Sequence, residues 1–447
     1  MQVDPSIFKA YDIRGVYPDQ LNEEIAHAIG RAFVTHLEPA EVVIGRDMRL
    51  SSPRIFAAVV EGVRQQGADV VDIGMVSTDQ FYFAAATLDR PGIMVTASHN
   101  PAHYSGLKMV RKMPHMLSGD GIQDLRRLVE GGADRFTASA TRGAVVERDM
   151  SDGFVAKVLS FVEPREIAPL VVVADTCNGM VGPVLTRVFE QLPVELTGMF
   201  LEPDGRLPNH GLDPMQEENR TALQEAVVRL GADVGFAFDG DGDRFFVIDD
   251  RGQFVPGDFL TALMGCYLLE GEPGGKIIYD VRCSWAVPDL IEAAGGVALI
   301  ERVGHAFMKP RMADEGAMFA GELSGHYYFR DFFGADTGIV PALVLLEMLS
   351  RKKQKLSQLL SSMEQQYFLS WEINSQVADP LQKIEQLAAH YASGRLERID
   401  GISVSFDDWH FNVRPSNTEP LLRLNLEGRS KELMEKKLDE VLSLIRS

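Results

Sequence analysis

Val234-Gly235-Phe236-Ala237-Phe238-Asp239-Gly240-Asp241-Gly242-Asp243-Arg244-Phe245-Phe246-Val247-Ile248 joins two apolar runs through a loop of three aspartates and an arginine. Runs of this length and composition read as buried strands, and the Ala222–Leu230 stretch before them has helical spacing and ends on Gly231. The same alternation recurs outward in both directions. Short Val- and Ile-rich runs stand at Val42–Gly45, Val70–Gly74, Gly92–Thr96, Leu170–Ala174, Lys276–Val281 and Val297–Glu301. Helical spacing marks Asn22–His36, Pro53–Gln66, Phe259–Leu269, Ala286–Ala294 and Ile339–Leu349. The pattern predicts an α/β protein with mixed or parallel sheets covered on both faces.

At 447 residues the chain is about three times a ~150-residue domain, so several cores are expected. Turn-rich or polar joints lie near Gly143–Glu147, near Asp250–Gly252, and from Arg351–Lys355 into Ser361–Gln366. They divide the chain into residues 1–146, 147–252, 253–365 and 366–447. The last segment differs from the others. Ile402–Phe406, Phe411–Arg414 and Leu421–Leu426 read as strands ahead of one charged amphipathic helix, Lys431 to Ile445, which is an α+β order.

Lys and Arg number 44 against 64 Asp and Glu, a formal charge of −20, which argues against nucleic-acid or anionic-membrane partners. An anionic ligand therefore needs a local basic site. Cys177, Cys266 and Cys283 are too scattered for a disulfide framework or zinc knuckle and are expected as reduced thiols. Met1–Pro5 lacks the basic-then-apolar order of a secretory signal, and Ile339–Leu349 is too short to cross a bilayer, so a cytoplasmic location is expected.

Four segments could carry chemistry. In the first, Asp239, Asp241 and Asp243 alternate with glycines that let the backbone curl until the carboxylates converge, and such a cluster needs a cation. An EF-hand is excluded, because its sixth position would be Arg244 instead of Gly and its twelfth Asp250 instead of Glu. Few, hard oxygen ligands beside an arginine suit Mg²⁺ shared with a phosphate. In the second segment, Thr96-Ala97-Ser98-His99-Asn100-Pro101, Ser98 follows a strand, where α/β sheets place ligand groups, while taken alone the turn reads as a helix cap or a tight turn. Thr96 and Asn100 replace the glycines of a serine-hydrolase elbow, which excludes that class. The third, Gly321-Glu322-Leu323-Ser324-Gly325-His326, offers groups that bind sugar hydroxyls or a polar strand-edge bulge. The fourth, Arg414-Pro415-Ser416-Asn417-Thr418-Glu419-Pro420, is a phosphate cradle or a proline-framed turn.

Together with Phe8-Lys9-Ala10-Tyr11-Asp12-Ile13-Arg14-Gly15, these segments resemble, in order and across nearly the whole chain, the α-D-phosphohexomutases, with the bacterial phosphomannomutase/phosphoglucomutase branch nearest. The resemblance implies three related α/β domains with mixed sheets and a distinct C-terminal α+β domain around a central cleft. It implies interconversion of hexose 1-phosphate and hexose 6-phosphate, for mannose and glucose, through a phosphorylated Ser98 and a hexose 1,6-bisphosphate such as glucose 1,6-bisphosphate. Ser98, Asp239, Asp241 and Asp243 would hold Mg²⁺, with Arg14, Lys108 and His326 near the reacting hydroxyl and either Lys108 or His326 as acid/base. By the same likeness Tyr11, Arg244, Arg282, Gly304, His305, Glu322 and Ser324 would contact the sugar phosphate, and Arg414, Ser416, Asn417 and Thr418 the phosphate that is not being transferred. Arg282 stands where relatives often carry lysine, and Asn417 where the phosphoglucosamine mutases usually carry glycine. A phosphoglucosamine mutase and a Mg²⁺-dependent sugar-phosphate phosphatase are the alternatives. The expected partners are small sugar phosphates, with a monomer or a dimer both open.

Overall fold

The computed structural model describes residues 3–132, 136–415 and 421–447. These fall into two compact units, Met1–Val255 with Ser324–Leu356, and Pro256–Leu323 with Ser357–Ser447.

The first unit is built on two mixed sheets. In one, the strands run in the order Ile13–Val16, Tyr104–Lys112, Gly92–Val95, Glu41–Arg46, Asp69–Met75 and Val145–Glu147, and His115–Met116 pairs beside Tyr104–Lys112. The strands from Gly92–Val95 through Val145–Glu147 are parallel, and Tyr104–Lys112 is antiparallel to both of its long-path neighbours. Helices Glu23–Leu37, Ser52–Gln65 and Asp120–Glu130 supply the apolar faces that close one core with this sheet, Ile29, Phe33, Ile55, Val59 and Leu125 being fully buried. The polar joint near Gly143–Glu147 thus carries an edge strand. Its Val145 and Val146 are exposed, so burial leaves no pattern that would have marked it.

The second sheet runs Phe254–Val255, Phe245–Ile248, Val234–Phe238, Val171–Asp175 and Glu195–Met199. Val234–Phe238 is parallel to Val171–Asp175 and antiparallel to Phe245–Ile248, so the acidic loop is the connection of a hairpin rather than an EF-hand turn. Every residue of both hairpin strands is buried. That continuity of apolar residues is expected of strands covered on both faces. Helix Ile339–Lys352, also in this unit, is buried from Ile339 to Ser350. No helix among the described residues is long and apolar enough to cross a membrane.

The second unit holds the parallel strands Val297–Glu301, Lys276–Asp280 and Phe319–Gly321, with helices Gly257–Leu269, Ala286–Ala293 and His305–Glu315. Its C-terminal sheet is antiparallel, in the order Phe368–Leu369, Leu421–Gly428, Trp409–Pro415, Ile402–Ser405 and Arg395–Glu397, with Ile373–Gln376 also on Leu421–Gly428. Helices Pro380–His390 and Lys431–Arg446 close a core around Trp409, Phe411, Leu422 and Val441. The expected α/β order, with a distinct α+β C-terminal part, is what the chain adopts. The three cysteines are free thiols, Cys177 and Cys283 being buried.

Candidate active site

Asp239, Asp241 and Asp243 are each fully buried, and one carboxylate oxygen from each lies within 4.8 Å of the others. The loop closes on itself: Asp239 Oδ1 accepts the backbone N–H groups of Gly242 at 3.1 Å and Arg244 at 3.2 Å. Gly242 sits at φ +80°, and a Cβ on Gly240 would stand 2.9 Å from the carbonyl oxygen of Ser98, so glycine is what lets the acidic loop and the serine loop touch.

Ser98 leaves strand Gly92–Val95 in the left-handed region, φ +51°, and is 2% exposed. Its N–H donates to Thr96 Oγ1 at 2.9 Å and its hydroxyl donates to Asp239 Oδ2 at 3.1 Å. The turn is a tight one, closed by the Asn100 N–H donating to the Ala97 carbonyl at 3.0 Å, and it leaves Ser98 buried. Lys108, on the central strand Tyr104–Lys112, is likewise buried instead of solvated; its Nζ donates to Asp241 Oδ2 at 2.8 Å and to Asp243 Oδ2. Thr78 Oγ1 donates to Asp241 Oδ2 at 2.6 Å. Arg14 is ion-paired with Asp12 at 2.8 Å and donates to Asn100 Oδ1 at 2.6 Å, which ties the Tyr11–Arg14 segment to the serine loop.

The Ser324–His326 segment lies along the other side of the acidic loop, where Arg244 and His326 form an antiparallel bridge. His326 Nδ1 is 3.0 Å from Ser324 Oγ, and its Nε2 is 3.6 Å from Asp243 Oδ1 and 3.4 Å from Arg244 Nε. Ser98, Lys108, Arg14, Arg244, Ser324, His326 and the three aspartates therefore gather in the first unit.

Burial, and then Asp243 and Asp241, push the Asp239 carboxyl well above the usual carboxylate range. Burial opposes charge on Asp241 as well, but Lys108 and Thr78 hold it below that range. Burial also opposes the Lys108 ammonium, and Asp241 and Asp243 more than offset it, so its pKa rises. Lys108 supplies an ammonium in hydrogen-bond contact with Asp241 and Asp243, and Arg244 Nε stands 3.9 Å from Asp239 Oδ2. Asp241 Oδ1 is buried with no hydrogen-bond partner among the described residues. A divalent ion that prefers hard oxygen ligands fits this donor set.

In the second unit Arg282 is held by Asp280, with Nε on Oδ1 at 2.9 Å and Nη2 on Oδ2 at 2.8 Å, and it stands 3.7 Å from Glu322. Glu322 is 1% exposed and accepts the N–H of Gly304 at 3.0 Å, immediately before His305 opens its helix. Arg414 Nη2 donates to Glu372 Oε2 at 2.9 Å, and Arg423 Nη1 to Oε1 at 3.1 Å. Burial disfavours the Glu372 carboxylate, but Arg282, Arg414 and Arg423 hold it below its ordinary pKa. Ser416, Asn417 and Thr418 lie outside the described residues. Glu372, Arg423 and Thr78 were not legible as partners of these groups, because no local motif surrounds them and their partners are distant in sequence.

Four family models cover the chain: phosphoglucomutase/phosphomannomutase alpha/beta/alpha domain I at residues 5–135, domain II at 152–252, domain III at 256–367 and the C-terminal domain at 372–444. A phosphomannomutase of Salmonella montevideo is 42% identical, covering 98% of this chain and 99% of its own. The crystal structure of a phosphoglucomutase/phosphomannomutase family protein from Burkholderia thailandensis is 34% identical with a TM-score of 0.90, over 99% of this chain and 98% of that one. The fold extends to an Aspergillus fumigatus N-acetylphosphoglucosamine mutase at 14% identity, solved with glucose 1,6-bisphosphate (TM-score 0.61; 100% and 96% of the chains) and with GlcNAc-6P and magnesium (TM-score 0.57; 92% and 83%). Whole-chain identity to a curated relative, with all four domains matched in order, places the chain in the phosphoglucomutase/phosphomannomutase family of phosphohexomutases, a family of isomerases.

Proposed function

We propose that the protein interconverts the 1- and 6-phosphates of mannose and glucose by way of a phosphoryl group carried on Ser98 and a hexose 1,6-bisphosphate that turns over within the site. The observation that carries this reading is Ser98 Oγ, which a left-handed turn sets 3.1 Å from Asp239 at the edge of a fully buried triad of carboxylates. Asp239, Asp241 and Asp243, with an oxygen on Ser98, would hold Mg²⁺, which when bound supplies positive charge to the phosphoryl group in transfer.

The chain's own groups divide the remaining work. Transfer breaks the bond between phosphorus and Ser98 Oγ, forms one to a sugar hydroxyl oxygen, and displaces that hydroxyl's proton. Lys108, held as an ammonium by Asp241 and Asp243, can supply a proton at Nζ; His326, beside Asp243, can accept one at Nε2. Arg14 and Arg244 stabilise negative charge at Ser98. Glu322 and Ser324 bind sugar hydroxyls, with Tyr11 and the Gly304-His305 turn as further contacts, and Arg282, Arg414 and the Ser416–Thr418 segment take the anionic phosphate that stays on the sugar. A −20 chain needs such a local basic cluster to bind an anion at all.

Phosphorus NMR with Mg²⁺, a trace of glucose 1,6-bisphosphate, and mannose 1-phosphate and glucose 1-phosphate in separate tubes tests the reading. Both sugars convert to their 6-phosphates, and Ser98→Ala converts neither. Release of inorganic phosphate in step with substrate loss would make the protein a phosphatase, and turnover of glucosamine 1-phosphate alone would assign it to the amino-sugar branch.

A further inference from the structure

Arg49 lies outside every motif that pointed to the site, yet it is 2% exposed and holds the loop that carries Ser98. Its Nη2 donates to the carbonyls of Ser98 at 2.6 Å and Asn100 at 2.7 Å, and its Nη1 to those of Pro101 at 2.8 Å and Tyr104 at 3.2 Å. Its Nε donates to Asp47 Oδ2 at 3.1 Å. A guanidinium has five N–H bonds, and these five acceptors use all of them. Asp47 is itself fixed: its Oδ1 accepts from Ser52 Oγ at 2.5 Å and from the N–H of Arg49 at 3.0 Å, and its own N–H donates to the carbonyl of Val95 at 2.9 Å.

The consequence falls on Ser98. Left-handed backbone is disfavoured for a residue with a Cβ, so φ +51° persists only where the surroundings impose it. The carbonyl of that residue accepts the shortest of Arg49's hydrogen bonds, while its hydroxyl meets Asp239. We propose that Arg49 is a positioning residue for phosphoryl transfer: through four carbonyls of the Ser98–Tyr104 loop it imposes the turn that aims Ser98 Oγ at the acidic triad. Having no N–H left to donate, Arg49 acts through Ser98 and not on the substrate. This inference rests on the reading that Ser98 carries the phosphoryl group.

Arg49→Lys is the test, because an ammonium has three donors at one point and cannot span four carbonyls. A misplaced nucleophile slows chemistry and leaves ground-state binding alone, so kcat falls by about tenfold to a hundredfold while KM for mannose 1-phosphate stays within about twofold. The rate at which dephosphorylated enzyme takes a phosphoryl group from glucose 1,6-bisphosphate, followed by intact mass after rapid quench, falls by the same factor. Added guanidinium chloride, below its denaturing range, restores part of that rate to Arg49→Ala and none to Arg49→Lys. Should Arg49→Lys fail to fold, Asp47→Asn loosens the Nε anchor alone and shows the same split between kcat and KM, to a smaller degree. A wild-type phosphorylation rate in Arg49→Lys overturns the inference, and so does a loss that vanishes when activity is expressed per folded molecule. Wild-type protein that never gains a phosphoryl group on Ser98 instead defeats the underlying reading, whatever Arg49 does.

Discussion

Replacing Lys108 with methionine keeps the stem and removes the charge, and it exposes how the acidic triad is balanced. The Lys108 Nζ is the ammonium in contact with both Asp241 and Asp243, and all three side chains are buried. Removing one partner of a buried ion pair costs roughly 3–5 kcal/mol, since the remaining charge cannot be solvated. At about 2–4 °C per kcal/mol for domains of 150–250 residues, Lys108→Met should lower the melting temperature by about 6–20 °C in EDTA.

The loss should depend on pH and on cation. Without the ammonium, one aspartate relieves the repulsion by staying protonated in the folded state, with its pKa raised above the unfolded value. The folded variant then binds more protons than the unfolded chain, and its stability relative to wild type falls as pH rises, by up to about 1.4 kcal/mol per unit per proton. Differential scanning fluorimetry at about pH 5 and about pH 8 should therefore find the larger deficit at the higher pH. Millimolar MgCl₂ should raise the melting temperature of Lys108→Met more than that of wild type, where the cation must first compete with the ammonium. Equal melting curves for the two proteins in EDTA, or a Mg²⁺ response that is the same in both, would falsify the charge accounting on which the metal site rests.

Ser98→Ala should fold as wild type and lose both isomerisation and the mass increment of one phosphoryl group, measured by intact mass spectrometry. If Arg414 grips the sugar's phosphate as proposed, Arg414→Lys should give up a forked charge-assisted contact worth roughly 1.5–3 kcal/mol, so KM for mannose 1-phosphate should rise by about tenfold to a hundredfold with a smaller change in kcat. Burial, followed by the charge of Glu427, raises the Asp258 carboxyl to about 7. Its folded pKa exceeds the unfolded one, so wild type loses stability as pH climbs from about 4 to about 7, and Asp258→Asn, compared by thermal melts, should not lose it over that window. His326→Gln should remove the acidic limb of the pH dependence of kcat/KM if His326 Nε2 accepts the proton, whereas an unchanged limb would reassign it.

The acidic loop was legible because its signal is local: three carboxylates between two fully apolar runs admit few arrangements other than a hairpin around a cation. Lys108 was legible only through family likeness. Seen alone, Lys108 and Lys112 are two lysines four positions apart on one strand, yet their side chains are 3% and 69% exposed. The difference arises because residues 105–110 lie where Tyr104–Lys112 is flanked on both edges and covered on both faces, while the strand's end runs into solvent. No alternation of polar and apolar residues survives in such a strand to report which lysine points inward.

Arg49 marks the limit of reading a chain locally, because its role is written in carbonyl groups, which every residue possesses. Asn100, Pro101 and Tyr104 bring it acceptors that no side-chain motif advertises, and Arg46, Arg49 and Arg54 are interchangeable until the strands are paired. The position of the loop is the missing information. Glu41–Arg46 and Gly92–Val95 are adjacent parallel strands, so the segments leaving their C-terminal ends emerge side by side, and Arg49 meets Ser98 although 49 residues separate them. Glu372 follows the same logic in the second unit, where it is a lone acid in sequence and the common acceptor of Arg414 and Arg423 once Ile373–Gln376 pairs with Leu421–Gly428. In both units, then, the groups proposed to touch substrate stand in recognisable motifs, while the groups that aim them are assembled by strand pairing. Where the aimed group is the proposed nucleophile, as with Arg49 and Ser98, a substitution should cost rate before affinity; where it is a proposed phosphate-binding group, as with Glu372 and Arg414, affinity should go first.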